Sequence, residues 1–269
     1  MKTIHLDGKA VKVTKNLESF LEHARVSFFG LSLWIDALCI DQQSVEERNH
    51  QVMLMGTTYS NARKVIVWLG HGNRAISQLF CRLDRTNGSP LAAGGPQDLQ
   101  LLIEAVFAVV SFRYWSRLWI TQELLLARSI LLVYGHDSLA WDDLWLGVDE
   151  LIPEPPQAIK ASTAQKHREQ RAILKSSKER ALRDISELIH EYSSAECTDI
   201  KDRVIGIRSL VKDGDKFAPS YGWDAPELAL QTVVHFQGGL ELLAGLHRCL
   251  WPNTPRVGSG RTGNPMAVY

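Results

Sequence analysis

The sequence predicts an α/β domain built on a parallel strand, helix, strand unit, followed by a helical C-terminal part. Three observations carry this reading. Residues 31–38 (LSLWIDAL) and 64–69 (KVIVWL) are short apolar runs that read as buried strands. Between them, a Ser44-x-x-Glu47 capping box opens a segment in which Val52, Met55, Tyr59 and Ala62 keep helical spacing. Strand, helix and strand within about forty residues make a βαβ unit, which is parallel and right-handed in nearly all cases. Beyond Pro153 the apolar runs give way to helical spacing.

Taken in order, residues 3–13 are two alternating runs around Asp7-Gly8, a dipeptide suited to the positive φ of a tight hairpin turn. Thr14 then caps a helix in which Leu17, Phe20, Leu21 and Ala24 share one face. The strand over 31–38 is buried on both faces, with Asp36 near its C-terminal end. A helix over 45–62 leads to the strand over 64–69, which ends at Gly70. Residues 86–97 (TNGSPLAAGGPQ) make a surface loop. Helices over 99–110 and near 116–127, with a break at 111–115, precede a strand over 130–134 closed by Gly135 and a helix over 141–151. These parts form an α/β core over 1–152. Residues 153–183 are a charged linker or the start of an exposed helix, until Ala181, Ile185, Leu188 and Tyr192 supply an apolar stripe. Residues 184–251 are a helical C-terminal part, with Pro226 suited to a helix first turn. Residues 252–269, rich in Gly, Pro, Ser and Arg, read as a disordered tail. No internal repeat is visible.

Composition narrows the function classes. With 269 residues, 45% hydrophobic and 22% charged, the chain is an ordinary globular one. Thirty basic against thirty acidic residues remove the charge excess on which nucleic-acid and anionic-membrane binders rely. Four scattered cysteines and no signal-peptide pattern point to a reducing, cytoplasmic setting. The apolar stretches fall short of the roughly 18 to 20 residues of a membrane span, so none is expected. The nine histidines form no HExxH, and no metal is assigned. No G-x-S-x-G elbow supports acyl transfer. Gly70-x-Gly72-x-x-Ala75 imitates a dinucleotide fingerprint, but no further strand with a terminal acidic residue follows, and it reads as a strand-exit turn.

Two segments carry candidate chemistry. In WIDALCIDQQ, over residues 34–43, Asp36 and Asp41 punctuate an apolar run at its C-terminal end, where ligand crevices of open α/β sheets lie. The alternative is structural: Asp41 caps the next helix and Asp36 pairs with an arginine. In RYWSRLWITQE, over 113–123, Trp119 and Glu123 stand at i and i+4, an aromatic wall beside a carboxylate that suits a ribosyl or nucleobase ligand. Here too the alternative is structural, with Trp119 in the core and Glu123 paired to Arg117 or Arg128.

The stretch WIDALCIDQQSVEERNHQVMLMGTTYSNARKVIVWLG resembles the central signature of the fungal heterokaryon incompatibility (HET) domain, W-I-D-x-x-C-I-D-Q followed by E-R, Q-V, M, Y, A and W-L-G. Arg117-Leu-Trp119-x-x-Gln122-Glu123, Trp141-Asp-Asp-Leu144, Asp199-Ile-Lys-Asp202-Arg203-Val204 and the N-terminal hairpin extend the resemblance over about residues 4 to 250. The family's usual first strand, Y-x-A-L-S-Y-x-W-G, and its C-terminal L-P-S-W-x-P-D-W element are not matched, so the resemblance implies a truncated or degenerate copy.

The resemblance implies nonself recognition and regulated cell death, through self-association or an incompatible-allele partner. It also implies a distant kinship to Toll/interleukin-receptor (TIR) domains and their flavodoxin-like, mostly parallel sheet flanked by helices. Some TIR domains cleave NAD with the glutamate of a W-x-x-x-E motif, matched here by Trp119 and Glu123. On that footing NAD is a substrate rather than a cofactor. Glu123 is the catalytic residue, while Trp119, Asp36 and Asp41 bind or position the ligand.

Overall fold

The structure, a computed structural model, describes residues 1–85, 95–176 and 183–252. Strands β1 (Lys2–Leu6) and β2 (Lys9–Val13) form an antiparallel hairpin with Leu6 opposite Lys9. Asp7 and Gly8 take φ 49° and 78°, the left-handed pair a two-residue turn demands. The Thr14 hydroxyl accepts from Leu17 N at 3.1 Å and starts helix α1 (Lys15–Ser27).

Residues 31–38 do not form the expected strand. The chain runs unpaired to Ile35 and then makes a single helical turn, α2 (Asp36–Cys39). The reason lies in the two aspartates. Asp36 Oδ1 accepts from Ala37 N at 2.7 Å, its carbonyl accepts from Ile40 N at 3.1 Å, and Asp41 Oδ1 accepts from Gln43 N at 2.9 Å. Short carboxylates that satisfy nearby backbone amides compete with a sheet ladder. The βαβ unit expected between 31 and 69 is therefore absent, and Leu31 and Trp34 remain exposed.

Helix α3 (Val45–Asn61) begins as expected, with Ser44 Oγ accepting from Glu47 N at 3.1 Å, but the Glu47 carboxylate reaches back to Asp41 N rather than to the cap residue. Strand β3 (Val65–Trp68), α4 (Arg74–Leu83), α5 (Pro96–Val110), a 3-10 turn at Arg113–Ser116 and α6 (Ile120–Leu126) follow. Strand β4 (Ile130–Tyr134) then pairs parallel to β3, Val65 opposite Ile130. Gly135, at φ 62°, turns the chain into β5 (Asp137–Ala140), a strand the periodicity missed, which pairs antiparallel to β4 ahead of α7 (Trp141–Leu151).

The result is a mixed α/β fold with a three-stranded sheet in the order β3-β4-β5, one pair parallel and one antiparallel. Helix α1 meets β3 at one residue, with the Phe20 and His23 rings 5.9 and 5.4 Å from the Trp68 ring. The carbonyl of Gly70, which has φ 104°, accepts from Gly135 N at 2.8 Å, so the glycines after β3 form a strand-exit turn packed on the β4–β5 turn. Residues 97–116 are long and apolar enough, by length and composition, to cross a membrane, which the sequence reading did not expect. In the fold Leu102, Ala105, Val106, Val109 and Val110 of this stretch are buried in the protein core.

The C-terminal part consists of α8 (Gln157–Lys160), α9 (Thr163–Ser176), α10 (Ile185–Glu191), α11 (Asp202–Ile205), 3-10 turns at Arg208–Leu210 and Gly214–Lys216, α12 (Ala225–Phe236) and α13 (Leu240–Leu250). The charge-rich α9 buries Ala164, His167 and Arg171. Asp224 Oδ1 caps α12 through Glu227 N at 2.8 Å, with Pro226 in its first turn. Of the expected loop over 86–97, residues 86–94 lie outside the described residues and Pro96 already opens α5. Residues 253–269 of the expected tail also lie outside them.

Two apolar cores result. One gathers β3 to β5 with α4, α5 and α7; the other gathers α10 to α13 with Val52 and Met55 of α3. Helix α6 is shared between them. Ile120 and Leu124 enter the first, Leu125 and Leu126 the second. Helix α6 is buried nearly all round, Thr121 and Gln122 included, and its one carboxylate, Glu123, sits where the two cores part.

Candidate functional site

Helix α6 is fixed from both sides by polar groups that its own backbone cannot supply. The buried Gln122 donates from Nε2 to Gly206 O at 2.6 Å, tying the helix start to the C-terminal part. At the other end the buried Arg171 donates to Leu124 O and, at 3.3 Å, to Arg128 O. A cation at a helix C-terminus satisfies the orphan carbonyls and suits the dipole. The extended segment before the helix is also held: Leu118 N donates to Glu196 O at 2.9 Å, and Glu196 N to Ser116 O at 2.7 Å. Glu123 is thus presented from a rigid support.

The Tyr114 hydroxyl donates to Glu123 Oε2 at 3.0 Å. Tyr114 is placed by the 3-10 turn and stands edge-on to the fully buried Trp115, ring centroids 5.0 Å apart at 88°. Burial raises the Glu123 carboxyl above the usual carboxylate range; the Arg117 guanidinium and the Tyr114 hydrogen bond pull it back, and the Asp36 carboxylate pushes it further up. The Tyr114 phenol is driven well above its ordinary range by burial and by the Glu123 charge. Tyr59, near the end of α3, responds likewise to burial, Glu123 and Asp36. The exposed Trp34 stands edge-on to Tyr59 at 5.9 Å and 87°. Arg117 lies 6.0 Å from the Tyr114 ring centroid.

Asp36 and Glu123 therefore act on one electrostatic site, framed by Tyr59, Tyr114, Arg117 and Trp34. The other two sequence candidates stand elsewhere. Asp41 is exposed and spends its side chain on the turn before α3. Trp119 packs against the C-terminal core and lends a hydrogen bond to Asp202, so it does not wall the Glu123 site. The two tyrosines escaped sequence reasoning because no helical spacing relates them to Glu123, whereas Arg117 is the partner that the structural alternative offers it. The only signal was the aromatic density of RYWSRLW.

A second polar cluster joins α3 to the C-terminal part. Asp202 Oδ1 accepts from Tyr221 Oη at 2.6 Å, and Arg48 of α3 lies 3.7 Å over the Tyr221 ring. Asn49 donates to Ser220 Oγ at 2.9 Å and accepts from Tyr221 N at 2.8 Å. Burial raises the Asp202 carboxyl, the hydrogen bonds from Tyr221 and Trp119 opposing it. Every partner is already spent inside the protein, which makes this cluster a clamp on α3.

The family described as heterokaryon incompatibility protein (HET) has a model that matches residues 1–123, a match that ends on Glu123. Over 72 residues the chain is 42% identical to heterokaryon incompatibility protein 6, OR allele, of Neurospora crassa. That alignment covers 24% of this chain and 11% of the relative, so the chain spans a small part of the protein it matches. No solved structure matches the chain.

Proposed function

We propose that this chain, whose residues 1–123 match the heterokaryon incompatibility family, is a cytoplasmic effector of fungal nonself recognition and regulated cell death, acting by cleavage of NAD at the bond between nicotinamide and ribose. The observation that carries the reading is the half-buried Glu123 carboxylate, held by Tyr114 at 3.0 Å beside Asp36 and an aromatic edge. The substrate's nicotinamide is a cationic ring that leaves neutral. The C1′–N1 bond breaks with both electrons going to the ring nitrogen, and positive charge develops on the ribosyl carbon. A fixed carboxylate beside that carbon stabilises the charge more in the transition state than in the ground state. Water then adds its oxygen to C1′, and its proton passes to Glu123 and on to solvent. Asp36 adds negative potential, Tyr114 fixes the carboxylate rotamer, and Arg117 suits a diphosphate. On this reading the fold is a distant TIR-like one, with β3 and β4 as the parallel pair of its sheet.

A second reading is a catalytically silent module, or a truncated copy, that works by self-association or by binding an incompatible-allele partner. It is favoured by a run of exposed apolar side chains, Val26, Phe29, Leu31 and Trp34, with Phe29 87% exposed. Nicotinamide release by the purified protein, measured beside Glu123→Gln after circular dichroism shows both folded, separates the two. Turnover lost in the variant supports the enzyme; a folded protein without turnover leaves the interaction module.

A further inference from the structure

Helix α13 is apolar on two opposite faces. Leu242, Leu246, Cys249 and Leu250 belong to the C-terminal core. On the other side stand Leu240, Leu243, Ala244 and His247, all exposed, with the half-buried Trp251 ring stacked on His247 at 5.8 Å. Leu240 is 83% and Leu243 45% exposed. The adjoining α12 repeats the pattern: Leu228, Ala229 and Thr232 are buried, while Leu230 and Val234, one turn apart, are exposed. Helices that keep apolar side chains on their outer face mark a surface that another molecule covers.

Two charges on α13 define the partner. Glu241 lies in its first turn and Arg248 in its last, both exposed, and neither makes an ion pair among the described residues. Two turns of helix separate them, so they share one flank of the outer face, while Leu243 falls on the opposite flank. When two such helices meet antiparallel about a two-fold axis, like flanks come together. The charged flank then meets its copy with the signs reversed end for end, Glu241 against the partner's Arg248. The Leu243 flank meets the partner's Leu243 flank, apolar on apolar. At full overlap Leu240 lies level with the partner's Trp251, and Ala244 with the partner's His247. A parallel pair would instead set each charged flank against leucine.

We propose that α13, with α12 beside it, is a dimerisation surface that takes a second copy of this chain in an antiparallel, two-fold arrangement. Self-complementarity singles out that partner, because one face supplies both members of each ion pair and both apolar walls. The dimer is weak. A helix of 11 residues is about 16 Å long and covers less than the about 800 Å² per partner of a stable interface, so half-association falls at roughly 10 to 100 μM. The elements involved are not those of the exposed run Val26, Phe29, Leu31 and Trp34, and the dimer does not depend on Glu123 chemistry.

The test is analytical ultracentrifugation of the folded chain from about 1 to about 200 μM, a range that brackets a weak interface. The expected result is a mass that rises from 30.2 kDa towards twice that value. Leu240→Lys and Ala244→Glu put charges at exposed positions, so they keep the parent's thermal melt and weaken association by about tenfold or more. Glu241→Arg and Arg248→Glu each turn both ion pairs into like-charge contacts and weaken it roughly fivefold to tenfold. An equimolar mixture of those two variants regains the parent's association, because each copy supplies the charge the other lacks. A chain that stays monomeric at the highest concentration overturns the proposal. So does a dimer unmoved by Leu240→Lys and Ala244→Glu, and its loss in Phe29→Ser would place self-association on the other apolar run. Single charge variants that associate as the parent does overturn the antiparallel arrangement.

Discussion

Tyr114 and Glu123, nine positions apart, meet across a 3.0 Å hydrogen bond because a 3-10 turn and an extended step reverse the chain between them. The phenol is the donor and the carboxylate the acceptor. Tyr114→Phe removes this bond and leaves a half-buried carboxylate with one donor fewer. The Glu123 carboxyl then titrates at higher pH than in the parent, and the fold loses about 1 kcal/mol at neutral pH. Carboxyl ¹³C titration and thermal melts of the two proteins read both effects.

A folded-state Glu123 that holds its proton more tightly than the unfolded chain does makes ionisation unfavourable to folding. Its contribution to stability is present below the unfolded carboxylate range, near pH 4, and is lost as pH rises through the elevated folded value. Glu123→Gln flattens that part of the curve. Melting temperatures that fall with rising pH equally steeply in parent and variant contradict the assignment.

His167 works in the opposite sense. Its pKa of about 4 in the fold, against an ordinary 6.5, means that the unfolded chain binds its proton first. Stability is full above about pH 6.5 and drains away as pH falls towards 4, by about 3 kcal/mol in all. In His167→Gln this acid loss is reduced, which urea unfolding at about pH 7 and about pH 4 resolves.

The buried Arg171 is the only side chain seen donating to Leu124 O among the described residues. Arg171→Met fills the space but leaves the Leu124 and Arg128 carbonyls without that donor, and the expected cost is about 2 kcal/mol. Amide exchange quickens at the end of α6 and in the strand that follows, while the β1–β2 hairpin keeps its protection.

Gly135→Ala is expected to destabilise by about 2 kcal/mol or more. The residue has φ 62°, and an added Cβ would stand 2.7 Å from the backbone nitrogen of Gly72. Neither backbone yields without parting β3 from the β4–β5 turn. A denaturant midpoint within error of the parent's sinks this reading.

Local chemistry was legible wherever a short signal is satisfied within a few residues. Asp7-Gly8, the caps Thr14 and Ser44, Gly135 at the end of β4 and Pro226 in α12 stand where the sequence puts them, because each answers a nearby backbone demand. The spacing of α1, α3, α5 and α7 was readable for the same reason. Tertiary structure decided three other things. It left residues 31–38 without a partner strand, and a strand exists only where a second backbone takes its hydrogen bonds. It drew the polar α9 into the protein by giving Arg171 the end of α6 to hold. It also chose the companions of Glu123: Trp119, one helical turn away in sequence, turns to the second core, while Asp36 acts on the carboxylate, and the carboxylate on Tyr59, across distant segments. Periodicity assigns a residue to one face of its own helix, but every residue of α6 other than Glu123 is buried. Only the packing of two cores around it determines which side is left for a charge.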